Sequence, residues 1–187
     1  MTATIQIVSF APDSPLSGHV YEAKDIETES KFLVKVLSKI SSDGTPLPQQ
    51  QRDLQLEEIR LRQLASGHPN ILSLLQVIEK LEEICLVFEY YPGGSLFEAM
   101  PALRTARYDA GIGVFLQILS AVKHCHNMGI YLRDLNPRHM FLDGNLNQVK
   151  LTEFRLATSS EESGDIGVGF GVGMLPYMAP GNKPSPL

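Results

Sequence analysis

Two charged residues lie on apolar faces of predicted elements, where an unpaired charge is costly. Lys35 lies in KFLVKVL, on the same side of a predicted strand as Leu33 and Leu37. Its ammonium group must either extend to water or find a partner. Glu58 lies in DLQLEEIRLRQLAS, on the helical face that carries Leu61. A carboxylate that faces the core in this way needs a cation.

A second group of polar residues lies in the segment 131–157, YLRDLNPRHMFLDGNLNQVKLTEFRLA. Asp134 and Glu153 supply carboxylates, and His139 supplies an imidazole. A carboxylate can accept a proton or hold Mg²⁺, which strongly prefers oxygen ligands over imidazole. The apolar alternation of MFLD and QVKLTE predicts a small hairpin around residues 144–145, which would hold these groups in place.

The elements that must position these residues follow from hydrophobic periodicity. HVYEA and KFLVKVL alternate as strands, and LLQVIEK and ICLVFEY form a second pair. Between the pairs, a polar connector precedes a helix that stops at Gly67. Ser95 can cap a short helix over LFEAM, a strong helix runs from Ile112 to near Gly129, and the segment from Thr158 onward reads as loop. A strand-rich first half with one helix therefore precedes a helix-led second half.

Composition and charge argue against several classes of protein. The 187 residues are 43% hydrophobic with a net charge of −5 and no long basic block, which disfavours a nucleic-acid binder. Cys85 and Cys125 lie far apart in apolar runs, and we expect both to be reduced core residues. The sequence shows no signal-peptide pattern and no apolar stretch of ~20 residues. We therefore expect a cytoplasmic or nuclear protein that does not engage a membrane.

Four further motifs occur in a fixed order along the chain: HPNIL at 68–72, LVFEYYPGGSLF at 86–97, RDLNP at 133–137 and PYMAP at 176–180. With them the chain resembles a eukaryotic-type Ser/Thr protein kinase that is degenerate and truncated in its large lobe. The resemblance implies an α+β, bilobal fold. Residues 1–90 would form a β-rich small lobe with one helix and a hinge at about 89–94, and residues 91–187 a partial, mainly helical large lobe.

The resemblance places the catalytic set at Lys35, Glu58 and Asp134. Lys35 would contact the α- and β-phosphates of ATP and pair with a helix Glu, and Asp134 would accept the proton of the substrate hydroxyl. Glu58 is favoured as the partner over Glu57, which lies on the polar side of the helix. An exposed pair between Glu58 and Arg62 is the alternative.

The resemblance also implies an adenine slot. The implied cofactor-binding positions are Gly18, Val20, Leu33, Lys35, Phe88, Glu89, Tyr91 and Phe141. Phe88 matches the gatekeeper, and backbone groups of Glu89 and Tyr91 would bond the purine. Leu33 and Phe141 are larger than the Ala and Leu that the family usually has there. We expect them to fill the slot and to stabilise an empty cleft.

The phosphate loop departs furthest from the family pattern. Where GxGxxG would stand, the chain reads Asp13-Ser14-Pro15-Leu16-Ser17-Gly18, and only Gly18 is retained. Glycines there let backbone N–H groups approach phosphate closely. Asp13 adds a negative charge and Pro15 removes a donor, so this loop should hold phosphate poorly.

The catalytic loop and the metal positions also depart from the family. Asn136 replaces a Lys beside the transferring phosphoryl group, and His139 replaces an Asn that ligates metal. Glu153-Phe154-Arg155 stands in place of Asp-Phe-Gly. The metal positions are therefore Glu153 and His139, with the charge of Arg155 able to pair with Glu153 and compete with metal. Alternatively, Glu153 and Arg155 are simply polar residues that end a strand.

The end of the sequence carries the last departure. Pro180-Gly181 replaces the family's Pro-Glu, and the sequence stops at Leu187. We expect some of the apolar surface of the helix at 112–126 to be exposed, covered by the tail or buried against a partner.

Three functions are compatible with these features. The first is a pseudokinase that acts through protein interaction, with a kinase, a substrate or a second copy of the chain as partner. The second is an active or weakly active ATP-dependent Ser/Thr protein kinase, for which ATP and Mg²⁺ would be the cofactors. The third is a truncated, degenerate fragment without an evolved role.

Overall fold

The computed structural model describes residues 5–11, 16, 18–105, 108–143, 145–159 and 173–178. Its first half consists of strands β1 (Ile5–Phe10), β2 (His19–Asp25) and β3 (Lys31–Ser38), helix α1 (Gln49–Ala65), and strands β4 (Leu74–Glu79) and β5 (Glu83–Glu89). The five strands form one antiparallel sheet in the order β1-β2-β3-β5-β4. Lys35 therefore lies on the central strand of this sheet and not on an edge.

The second half is led by helices, as predicted. It consists of β6 (Gly94–Ser95), α2 (Leu96–Thr105), α3 (Tyr108–Asn127), β7 (Ile130–Tyr131), β8 (Met140–Leu142), β9 (Val149–Leu151) and β10 (Thr158–Ser159). Strands β6, β8 and β9 form a small sheet, and β10 pairs with β7. The hairpin predicted from MFLD and QVKLTE is confirmed, with Met140 opposite Leu151.

Local signals in the sequence set the helix ends. Gly67 has φ +97°, a left-handed conformation that glycine adopts without a steric penalty, and it follows the end of α1. At the start of α2, Ser95 Oγ accepts from the backbone N–H of Glu98 at 3.2 Å, and the Ser95 N–H donates to the Glu98 carboxylate at 3.2 Å. This reciprocal capping box satisfies two backbone donors that the helix cannot satisfy itself.

The HPNIL segment joins the two halves. The side-chain amide of Asn70 donates to Gln117 Oε1 on α3 at 2.7 Å and to the Val149 carbonyl on β9 at 3.0 Å. The backbone continues this link, because Leu72 N donates to the Leu151 carbonyl at 2.9 Å. One apolar cluster spans both halves, with members Leu61, Ala65, Ile71, Leu96, Val114, Ala121, Cys125, Ile130, Leu132, Met140, Leu142, Val149, Leu151 and Phe154.

Both cysteines are buried and unbonded, as expected. Burial raises the pKa of the Cys125 thiol to about 11, which keeps it a neutral, unreactive core group. Within the described residues, no helix is long and apolar enough to cross a membrane.

Several elements differ from the sequence-based expectation. Strand β1 was not predicted, and α3 begins at Tyr108 and not at Ile112. Helix α2 continues through Pro101 to Thr105. Thr158 and Ser159 were predicted to be loop, but they form β10 by pairing with Tyr131 and Ile130. So short a strand is defined by its hydrogen-bonding partner, and its own composition carries little signal. Residues 160–172 and 179–187 of the predicted loop lie outside the described residues.

The outer face of α3 is apolar and exposed. Ile112, Phe115, Leu116 and Leu119 are 42%, 59%, 58% and 47% exposed. Their spacing places them on one side of the helix, so they form a continuous stripe, which we call the α3 face.

A close backbone approach at Gly93 provides a test of this fold. A Cβ added there would lie 1.8 Å from the Leu142 carbonyl oxygen of β8, whereas one added at Gly113 in α3 would meet open space. We expect Gly93→Ala to destabilise the protein by about 1–3 kcal/mol through overpacking. Gly113→Ala should stabilise it by up to about 1 kcal/mol through helix propensity. Urea unfolding of both variants measures the difference, and equal effects would contradict the β6–β8 register.

Candidate functional site

One charged residue of β3, Lys35, and one of α1, Glu58, meet in the interior of the protein. Lys35 Nζ lies 2.7 Å from Glu58 Oε1, and the two side chains are 2% and 4% exposed. Glu57 instead pairs with Arg60 at 2.6 Å on the outer side of the helix. Helical periodicity explains the difference, since Glu58 shares its inward face with Leu61.

Arg62 is the residue that the sequence interpretation placed wrongly. It was considered only as an exposed partner of Glu58, yet its side chain is 2% exposed. Its Nε donates to Glu58 Oε1 at 2.9 Å, Nη1 donates to the Thr152 carbonyl, and Nη2 donates to Glu153 Oε1 at 3.4 Å. Its position one turn after Glu58 places both residues on the same helical face, but this spacing is equally typical of an exposed pair.

Glu153 is buried and held by several donors. Its Oε1 accepts from the backbone N–H groups of Phe154 at 2.9 Å and Arg155 at 2.8 Å, in addition to Arg62. The reading of Glu153 as a polar residue that merely ends a strand is wrong, because its side chain is 2% exposed and β9 ends earlier, at Leu151. The guanidinium next to this carboxylate is that of Arg62, while the exposed Arg155 contributes its backbone N–H.

Asp134 is likewise surrounded by donors. Its Oδ1 accepts from Asn136 Nδ2 at 3.1 Å and from the backbone N–H of Met174 at 3.1 Å. Its Oδ2 lies 3.4 Å from His139 Nε2. Gly173 has φ +100°, and a Cβ there would lie 2.8 Å from the Arg133 carbonyl oxygen. The segment 173–174 is therefore packed directly against the carboxylate that the resemblance assigns as proton acceptor.

The residues at the implied Mg²⁺ positions are already engaged by other groups of the protein. In the described part of the chain, no three His, Cys, Asp or Glu side chains converge in a way that could hold one. His139 contacts Asp134, and Glu153 already lies among cationic and N–H donors. Mg²⁺ requires near-octahedral oxygen coordination and dehydrates reluctantly, so it would have to displace these contacts.

The side chains at the implied adenine positions pack against one another. Val20, Leu33, Phe88 and Phe141 are all buried, and they belong to one apolar cluster with Leu16 from the loop that precedes β2. Leu33 and Phe141, which are larger than the residues that the family usually has, are therefore both members of a buried apolar cluster. Asp13 and Pro15 of the phosphate loop are outside the described residues.

The hinge positions are engaged through their side chains. The Glu89 carboxylate accepts from Lys150 Nζ at 2.7 Å and from the Ser73 N–H at 2.8 Å. Burial acts to raise the pKa of Glu89, but these two contacts outweigh it and the pKa is lowered. The Tyr91 hydroxyl donates to the Gln148 carbonyl at 2.9 Å, and burial, with nearby carboxylates, raises its pKa to about 12. The two side chains therefore link the implied hinge to β9 and to Gln148, the residue that precedes it.

A cavity of about 850 Å³ lies between α1 and the segment after β9. Its lining includes Gly18, Lys35, Glu58, Arg133 and Arg155. Gly18 has φ +101°, so a side chain there would be strained. The cavity therefore lies beside Gly18 and Lys35, two of the implied cofactor-binding positions.

The two neighbouring glutamates of α1 provide a matched test of the buried ion pair. Glu58→Gln should lower the free energy of unfolding by about 3–5 kcal/mol, because it leaves buried cations without their carboxylate. Glu57→Gln removes an exposed pair and should cost about 0.2–1 kcal/mol. Chemical denaturation followed by circular dichroism measures both. Similar losses in the two variants would contradict the buried placement of Glu58.

Comparison with known proteins agrees with this architecture. Residues 16–182 match the family described as the protein kinase domain. A protein of Schizosaccharomyces pombe, "Negative regulator of sexual conjugation and meiosis", is 39% identical over 165 residues, which covers 87% of this chain and 33% of that protein.

Plant kinases are also similar. "CBL-interacting protein kinase 11" of Oryza sativa is 32% identical over 76% of this chain, and "CBL-interacting serine/threonine-protein kinase 21" of Arabidopsis thaliana is 37% identical over 66%. The chain spans about a third of the length of the curated relatives it matches. By sequence and by fold, this chain belongs to the protein kinase domain family.

Proposed function

We propose that the chain is a kinase-like domain with impaired phosphoryl transfer that acts through protein interaction. The observation that carries this proposal is the burial of Glu153 against Arg62 and two backbone N–H groups. In the family, the acidic residue at this position holds the metal that neutralises charge on the phosphates. Here its carboxylate is engaged by groups of the protein itself.

The surroundings of Asp134 support the same conclusion. Asn136 supplies an amide where the family has a cation, and it donates to the carboxylate that would accept the substrate proton. Loss of a single positioned charge-stabilising contact typically costs about 10²–10³ in rate. Because the phosphate loop, the cation and the metal ligands are altered together, the combined loss should exceed the effect of any one change, even with strong non-additivity.

One observation favours the alternative, an active or weakly active ATP-dependent Ser/Thr kinase. Lys35 and Glu58 form the ion pair that an active member of the family requires, at 2.7 Å. In that case ATP and Mg²⁺ would be the cofactors, and the side chains in the adenine slot would have to move apart when nucleotide binds.

Phosphoryl transfer separates the two functions. We expect no incorporation of phosphate from ATP into the chain itself or into generic Ser/Thr protein substrates above that seen with Asp134→Asn protein. The measurement is radiolabelled transfer in the presence of Mg²⁺ and, separately, Mn²⁺. Transfer by the wild-type chain that disappears in the Asp134→Asn variant would refute the proposal and establish the alternative.

We also propose that the chain does not bind nucleotide, because the side chains at the implied adenine positions pack against one another. We expect no rise in melting temperature of the wild-type protein with ATP, because a ligand stabilises only the state it binds. The paired substitutions Leu33→Ala and Phe141→Leu restore the smaller side chains and should make the melting temperature rise with ATP. The doubly substituted protein without ATP is the control for the cavity that the substitutions create.

The α3 face supports the interaction part of the proposal, and we assign a second copy of the chain as its occupant. The four exposed residues of the stripe carry no charge, so two such faces can meet without bringing like charges together, despite a net charge of −5 on each chain.

Oligomeric state tests this assignment. Wild-type protein should form a dimer whose melting temperature rises with protein concentration. Phe115→Glu places a charge in the centre of the stripe and should give a monomer. Leu81→Glu is the matched control, since Leu81 is 92% exposed on the β4–β5 turn, away from α3. Light scattering measures the mass, and a monomeric wild-type chain would exclude self-association through this face.

A further inference from the structure

Four charged side chains are buried together at the junction of β3, α1 and the segment after β9. Lys35, Glu58, Arg62 and Glu153 are each between 2% and 4% exposed. They comprise two cations and two carboxylates, so the group is formally neutral. We call these four residues the buried quartet. A buried charge is retained at such a site only when partners satisfy it.

Arg62 is the member that connects the others. Its guanidinium donates to Glu58, to the Thr152 carbonyl and to Glu153, so its planar set of N–H donors is used on three groups. The guanidinium carbon also lies 5.2 Å from the ring centre of Phe88 and 5.3 Å from that of Phe154. These aromatic contacts favour a cation and fix its position.

Of the two cations, Arg62 is closer to Glu153. The distance from Arg62 Nη2 to Glu153 Oε1 is 3.4 Å, and the distance from Lys35 Nζ is 4.0 Å. Lys35 makes its short contact with Glu58 instead. A divalent ion bound to Glu153 would lie close to both cations, and the repulsion would be strong in an interior from which water is excluded.

We propose that Arg62 is the resident counter-ion of Glu153: its guanidinium excludes a divalent metal from that carboxylate and links α1 to the segment after β9 in the protein alone. The inference goes beyond the loss of phosphoryl transfer. It assigns to Arg62 the electrostatic role that a bound metal would otherwise have at Glu153, and it makes the position of α1 independent of nucleotide and metal.

Mn²⁺ binding, followed by the electron paramagnetic resonance signal of the free ion, tests the exclusion. Wild-type and Glu153→Gln proteins should take up the same small amount of Mn²⁺. Arg62→Met should bind Mn²⁺ at least about tenfold more tightly, because it removes a unit charge from within roughly 4 Å of the carboxylate. That gain should disappear in the double variant Arg62→Met/Glu153→Gln.

Arg60→Met is the matched control for this experiment. Arg60 lies on the same helix, but it pairs with Glu57 on the outer side. Its variant should bind Mn²⁺ like the wild type. Stoichiometric Mn²⁺ uptake by wild-type protein that is lost in Glu153→Gln would overturn the proposal, and so would a folded Arg62→Met protein with no gain.

Hydrogen exchange of the wild-type protein gives a second test that requires no substitution at Arg62. The amides of Phe154 and Arg155 donate to Glu153 and should be protected in metal-free protein. Saturating magnesium chloride, with or without ATP, should leave their protection unchanged. Protection that develops only when Mg²⁺ is added would show that the metal, and not Arg62, organises this carboxylate.

Discussion

No charge buried at the junction of β3, α1 and the segment after β9 can be left without a partner, and the arrangement of the surrounding elements follows from that constraint. The Glu58 carboxylate is shared by Lys35 and Arg62, one from the neighbouring strand and one from its own helix. Arg62 then reaches the Thr152 carbonyl and Glu153. A rotation of α1 about its axis would break contacts with both the sheet and the later segment, so the helix has one favourable orientation.

The residues that differ from the catalytic pattern of the family have structural partners here. Asn136 accepts from the Arg138 N–H at 3.0 Å and so caps the short 3₁₀ helix at Pro137–His139, while its amide nitrogen donates to Asp134. Leu33 and Phe141 add to the apolar cluster of the sheet. Asn136, Leu33 and Phe141 therefore each contribute contacts to the fold.

The fold could be predicted from the sequence where a hydrophobic repeat extended over a long segment and clear turn residues flanked it. Strands β2 to β5, the end of α1 and the β8–β9 hairpin were read correctly, because alternation and glycine punctuation are local signals. Strand β1 was missed although four of its six residues are apolar. Strand β10 was missed because its two residues are defined by pairing with β7.

The site was less accessible to sequence reasoning than the fold. Glu58 could be distinguished from Glu57 by helical phase alone. The burial of Arg62 could not be predicted from helical phase, because its partners Thr152 and Glu153 lie about ninety positions later in the chain. An arginine four residues after a glutamate is the usual pattern of an exposed helix pair. Only the fold reveals that Glu153 joins Glu58 and Arg62 and makes the pair part of a buried network.

The packing of Leu16, Leu33 and Phe141 in one apolar cluster affects the kind of selection that acts on them. A pocket that holds a ligand is constrained by the outline of that ligand, so each wall position has its own tolerance. A close-packed interior is constrained chiefly by total volume, and its members can exchange size with one another. Leu16, Leu33 and Phe141 now belong to the second case. In related sequences, a larger side chain at one of these three positions should therefore be matched by a smaller one at another. No single residue type needs to be retained.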